Sequence, residues 1–165
     1  MEADELKALQ APIKQRYRDE PRSAVITLHA EGQLGDGVSC SVQTGQALVA
    51  AGLHPMTGGD GSLACSGDML LQALAACAGV TMQSVATVLG LVVTGTVRAD
   101  GDLDFRGTLG VDKAVPVGFT DIRLSFELDT EATEDELATL LRLTERYCVV
   151  LQTLATSPTL SASFA

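Results

Sequence analysis

Apolar residues crowd nearly every face of the segment 67–89, GDMLLQALAACAGVTMQSVATVL, and this pattern predicts a helix buried all round rather than an amphipathic surface helix. Ser66 stands as a natural N-cap, Asp68 falls in the first turn where a negative charge suits the helix dipole, and Gly90 is placed to end the helix. A second helix is predicted from Thr133, where Thr133 and Glu136 form a T-x-x-E capping box. Leu137, Leu141, Thr144, Cys148 and Leu151 recur along one of its faces, with Asp135, Arg142 and Arg146 opposite, so this helix reads as amphipathic.

The remaining pattern is that of strands. Residues 23–30 (SAVITLHA) and 38–43 (VSCSVQ) flank the glycine-bearing turn EGQLGDG and predict a hairpin, with Cys40 alternating inward beside Val38 and Val42. Residues 46–51 fit either a short strand or a helical turn. Strands are expected at 91–98, 103–111 and 120–128, and a last one at 159–165 after Pro158. The run Asp100-Gly-Asp-Leu-Asp mimics part of a calcium loop but lacks the remaining ligands, so it reads as a hairpin turn. The loop HPMTGGDGSLAC carries no G-K-[ST] and is not a phosphate loop; it leads the chain into the long helix. Residues 1–22 read as a mobile or partner-covering arm, with Pro12 and Pro21 limiting any helix there. The order strands, helix, strands, helix, strand defines an α+β domain over residues 23–165 behind that arm.

Charge narrows the function. The 21 acidic against 11 basic side chains give a net −10, which repels nucleic-acid phosphates and anionic lipid heads. The uncharged stretch from Met69 to Val97 is interrupted by Gln72, Thr81, Gln83, Ser84, Thr87 and three glycines, and so reads as a buried helix followed by a strand, not a membrane span. The opening residues are polar and charged with no apolar leader, so the expectation is a cytoplasmic protein.

Four cysteines, Cys40, Cys65, Cys77 and Cys148, hold the candidate chemistry. No C-x-x-C is present, and His29 and His54 stand far from any zinc pattern, so neither metal nor cofactor is expected. Cys77 and Cys148 each lie on the buried face of a predicted helix. Each reads first as an inert core residue, and the two become a candidate redox pair only if the helices pack together with Cα atoms within about 7 Å. Cys65 is a rival, because it precedes a helix whose amides favour a thiolate; Asp68 opposes that activation.

The segment SGDMLLQALAACAGVT, with A-L-A-A-C at its centre, and the later cysteine in LTERYCVVLQTL resemble the OsmC/Ohr family. The likeness in element order covers about residues 23–165. It implies an OsmC-like fold in which antiparallel sheets enclose two central helices in an intertwined homodimer. It also implies a thiol peroxidase: Cys77 attacks a small-molecule hydroperoxide, Cys148 resolves the sulfenic acid to a disulfide, and an external thiol reductant restores the pair. Three departures accompany the likeness. Family members carry a proline-glutamate pair where this chain has Ser66-Gly67-Asp68, with Asp68 one position along from the glutamate. They place an arginine in the first hairpin turn, which holds none here. They follow the second cysteine with proline, where this chain has Val149. The arm arginines Arg16, Arg18 and Arg22 are then the expected source of thiolate-stabilising charge, whereas Arg142 and Arg146 point away from Cys148. The alternative reading is a non-catalytic dimer that binds a small apolar ligand in the same pocket.

Overall fold

A long apolar helix needs a sheet to lie on, and in a computed structural model the chain supplies one. The backbone is described for residues 3–34, 40–42 and 51–164, and side chains for residue 8, residues 10–27 and residues 51–164. The elements in order are α1 (Ala3–Asp19), a 3-10 turn (Pro21–Ala24), β1 (Val25–Leu34), β2 (Cys40–Val42), β3 (Ala51–Gly52), a second 3-10 turn (Pro55–Thr57) and β4 (Ala64–Cys65). They continue with α2 (Ser66–Leu89), β5 (Thr94–Asp104), the one-turn α3 (Phe105–Thr108), β6 (Phe119–Asp129), α4 (Glu134–Tyr147) and α5 (Val149–Ala155).

Four strands form an antiparallel sheet in the order β2-β1-β5-β6, and β3 pairs with β4 in parallel beside it. On β6 the inward Ile122, Leu124, Phe126 and Leu128 alternate with the exposed Asp121, Arg123, Ser125 and Glu127, the period of a half-buried strand. Leu71, Leu74, Ala75 and Ala78 of α2 pack there with Val97, Ala99 and Cys148, all fully buried. α2 is long and apolar enough to cross a membrane. Its buried residues instead make it the core helix of this sheet. Gly90 closes it in the left-handed region at φ 71°, a conformation glycine adopts without strain.

The expected hairpin is present as β1 paired with β2, Leu34 opposite Cys40. Its turn and residues 46–50 fall outside the described residues, as does the side chain of Cys40. Elsewhere tertiary packing overrides the local pattern. The Asp100-Gly-Asp-Leu-Asp run is no turn: β5 passes straight through it, replacing two expected strands by one. Gly101 is the reason, because a Cβ there would sit 2.6 Å from the Phe119 ring, and glycine lets that ring cover the strand. The neighbouring carboxylates are absorbed across the sheet: Asp102 accepts from Thr27 on β1 and from Arg123 on β6, the latter at 2.7 Å.

Residues 105–108 are helical instead of the continuing strand expected to 111. The side chain of Asp104 caps them, accepting from Arg106 N at 3.0 Å. The expected final strand at 159–165 is absent over 159–164, which are exposed and without regular structure.

The N-terminal expectation also needs correction. Pro12 lies inside α1 and does not stop it. A proline removes one helical hydrogen bond, yet tertiary contacts hold this helix. Tyr17 is fully buried with Ala24, Phe105 and Leu109, and its hydroxyl donates to the Met56 carbonyl at 2.7 Å. Gln10 donates to the Thr57 carbonyl at 3.2 Å.

Candidate functional site

The capping box at Thr133 is formed as expected, with Glu136 reaching back to the Thr133 amide at 2.8 Å. The helix it begins is not continuous. Cys148 has ψ 106°, ends α4 and precedes α5, although Val149 rather than proline follows. The ladder is satisfied on both sides of the break, with Cys148 N donating to Thr144 O and Gln152 N to Cys148 O, each at 2.9 Å. The redirected α5 lays Val150, Leu151 and Leu154 on the main core. The buried face of α4 centres on Leu140 and Thr144; Leu141 is outside it, at 43% exposure. Thr144 is wholly buried with its hydroxyl unpartnered, four residues before Cys148 on the same face.

This arrangement brings Cys77 and Cys148 together. Cys77 stands mid-way along α2, half-buried, and packs on the cluster that contains the fully buried Cys148. Their environments separate their acidities. Burial pushes the Cys77 thiol up, but hydrogen bonds from the Val150 amide, the Cys148 thiol, the Thr81 hydroxyl and the Val149 amide outweigh it and hold the thiol below its ordinary value. Cys148 moves the other way. Burial first, and then the neighbouring Cys77 sulfur, push it up to about 11 against the help of amides in α5. The pair therefore offers one thiol disposed to ionise and one that keeps its proton at neutral pH.

Every group acting on the Cys77 sulfur among the described residues is neutral. Arg18 is exposed on α1 and donates to Gln15 at 3.3 Å. Arg22 is exposed in the first 3-10 turn, and Arg16 lies over the Tyr17 ring at 5.2 Å. Asp68 is in the first turn of α2, nine residues and about 13.5 Å of helix from Cys77. Cys65, not Ser66, is the N-cap of α2, and twelve residues separate it from Cys77, about 18 Å along the axis. His54 caps the second 3-10 turn, accepting from Met56 N at 3.1 Å and stacking on Phe105. Arg142 and Arg146 are on the exposed side of α4, as their spacing indicated.

Beside the thiols runs an open groove of about 570 Å³, whose lining includes Val80, Thr81, Val88, Leu143 and Tyr147. Of these, Thr81 stands one helical turn beyond Cys77 on α2. Sequence reasoning missed Thr81 as a site residue, although its place four residues after Cys77 was a legible signal. It could not have found the Val149 and Val150 amides, because nothing in the residue types marks a helix break at Cys148.

The antiparallel sheet, the core helix and the thiol pair define a mixed helix-and-strand protein with a cysteine centre. Residues 59–163 match the family described as OsmC-like protein, and the chain belongs to that family. Its fold is similar to the crystal structure of an OsmC-like hydroperoxide resistance protein from Jannaschia sp. CCS1. That likeness has a TM-score of 0.55 and 14% sequence identity, and covers 83% of this chain and 91% of the other. None of the curated proteins matches the chain.

Proposed function

We propose that this protein is a thiol-dependent peroxidase that reduces organic hydroperoxides through Cys77 and Cys148. The observation that carries the reading is the packing of Cys77 on the buried cluster that holds Cys148, in surroundings that shift the two thiols in opposite directions. The Cys77 thiolate attacks the terminal peroxide oxygen, an S–O bond forms and the O–O bond breaks. The departing alkoxide takes a proton and leaves as the alcohol. The sulfenic acid on Cys77 is then attacked by Cys148, which gives up its proton; a disulfide forms and water leaves. An external thiol reductant returns both cysteines to thiols. The apolar walls of the groove suit an alkyl hydroperoxide better than hydrogen peroxide.

The working form in this proposal is a cytoplasmic homodimer in which sheets of both copies enclose the two central helices. Support comes from the apolar surface one copy leaves open: Val80 and Val88 on the Cys77 side of α2, and Leu160 and Phe164 in the C-terminal segment, are all exposed. A second reading, a non-catalytic dimer that binds an apolar ligand, is favoured by the neutral character of the groups that shift the Cys77 thiol among the described residues. Peroxide consumption with a dithiol reductant separates the two. The parent chain is expected to turn over cumene hydroperoxide, Cys77→Ser to lose all turnover, and Cys148→Ser, treated with hydroperoxide in the absence of reductant, to stop after one equivalent with a trappable sulfenic acid. A parent chain that consumes no hydroperoxide leaves the binding reading standing.

A further inference from the structure

One side chain ties α5 back to α4. α4 ends at Cys148, and a helix that ends leaves the carbonyls of its last turn without partners inside the helix. Gln152 bonds in both directions from there. Its backbone amide donates to the Cys148 carbonyl at 2.9 Å, the first bond of α5, while its side-chain Nε2 reaches back to the Glu145 carbonyl at 2.8 Å. This second bond crosses the break and encloses Cys148, three residues after Glu145 and four before Gln152. The Thr153 hydroxyl, by contrast, donates to the Val149 carbonyl at 2.7 Å and stays within α5.

α5 needs such a tie. A helix of seven residues is too short to stand by itself in water. Val150, Leu151 and Leu154 fix its inner side on the core, and Gln152 joins it to α4 on the exposed side. Cys148, at the break, is fully buried in the cluster on which Cys77 packs. The angle between the two helices therefore sets where the Cys148 sulfur stands, and disulfide geometry tolerates little error in that placement.

We propose that Gln152 is a positioning residue, whose bond across the break holds Cys148 beside Cys77 in a geometry that favours their disulfide. In a glutathione buffer that bond forms as oxidised glutathione takes two electrons and the two thiol protons and leaves as two thiols. The proposal deepens the peroxidase reading and takes its biological meaning from it, but the geometry is that of the thiol pair alone.

The test is the equilibrium between dithiol and Cys77–Cys148 disulfide in glutathione buffers of stepped ratio, without hydroperoxide. It is read on the full-length chain by alkylation and peptide mass spectrometry. Gln152→Met keeps the length and removes the donor. Its equilibrium constant is expected to fall about two- to five-fold, a potential about 10–20 mV less negative than the parent's. Gln152→Ala is expected to fall equally and serves if the methionine variant does not fold. Thr153→Val removes the bond inside α5 and is expected to keep the parent equilibrium. A Gln152 variant at the parent equilibrium, or one shifted toward the disulfide, overturns the proposal; a merely structural tie gives the former, with lower stability in urea. An equal fall in Thr153→Val overturns it too, as does a parent chain in which the Cys77–Cys148 disulfide never forms. Failure of the peroxidase reading shows separately, as a parent chain that forms this disulfide in glutathione but turns over no hydroperoxide.

Discussion

At the scale of single residues, the same burial that weakens one thiol can be offset at its neighbour by a few well-placed donors. Cys148 sits in the core and is pushed up; Cys77 meets two amides and a hydroxyl and is pulled down. A comparable balance operates at Asp104, which is 6% exposed. Hydrogen bonding from the Arg106 side chain holds its carboxyl below the ordinary range against the opposing effect of burial. A carboxyl whose pKa is lower in the folded chain than in the unfolded one contributes stability above the unfolded value, about 3.9, and loses it as pH falls through the folded value. Asp104→Asn keeps a capping oxygen and removes the charge. It is expected to cost about 1.5–2 kcal/mol at pH 7, within the range for hydrogen bonds to charged groups. Urea denaturation at pH 7 and at pH 3 checks this: the gap between parent and variant should shrink in acid, and an equal gap at both pH values would assign the loss to packing.

At the scale of elements, β5 depends on a residue that has no side chain. A methyl group at Gly101 would stand 2.6 and 2.7 Å from two Phe119 ring carbons and 3.2 Å from a Leu71 methyl. Gly101→Ala is expected to destabilise the fold by about 1–3 kcal/mol through overpacking. Adding Phe119→Leu should recover part of that loss, and strictly additive effects in thermal denaturation would contradict the contact. The α1 element rests on a different device. Its Tyr17 hydroxyl reaches the Met56 carbonyl from the far side of a buried ring. Tyr17→Phe keeps the ring and leaves the carbonyl without that donor. A loss of about 0.5–1.5 kcal/mol is expected, with faster amide hydrogen exchange confined to α1 and the 3-10 turn at Pro55–Thr57.

At the scale of the whole molecule, α2 is buried on the sheet side and open on the other. Leu71, Leu74, Ala75 and Ala78 face the core, while Val80 is 39% and Val88 84% exposed. An exposed apolar face of that kind suits a second surface. Because homo-oligomers most often close about a two-fold axis, light scattering is expected to give a particle of twice the 17.2 kDa chain mass. A folded monomer at micromolar concentration would refute the dimer and leave the groove fully open to solvent.

The sequence by itself determined those features whose signals are local. The capping box at Thr133, the glycine that ends α2 and the alternation of β6 are each written in a few neighbouring residues, and each is present. The burial of α2 on every face, expected from its apolar pattern, is not found in the single chain, which covers only the sheet side. The cysteine-centred helix was also enough to indicate the family. Tertiary structure decided what depends on residues distant along the chain. A glycine between two aspartates looks like a turn until Phe119 is known to lie over it. A proline looks like a helix stop until Tyr17 and Gln10 are seen to anchor the helix around it. The groups surrounding Cys77 follow the same logic. Two of them are backbone amides of α5, and an amide carries no mark of its residue type; its direction is set by the break at Cys148 and by the packing of Val150, Leu151 and Leu154 on the sheet. Local patterns specify which segments are helix or strand, because propensity and periodicity act over a few residues. Only the packed chain brings a donor from one segment to a sulfur in another.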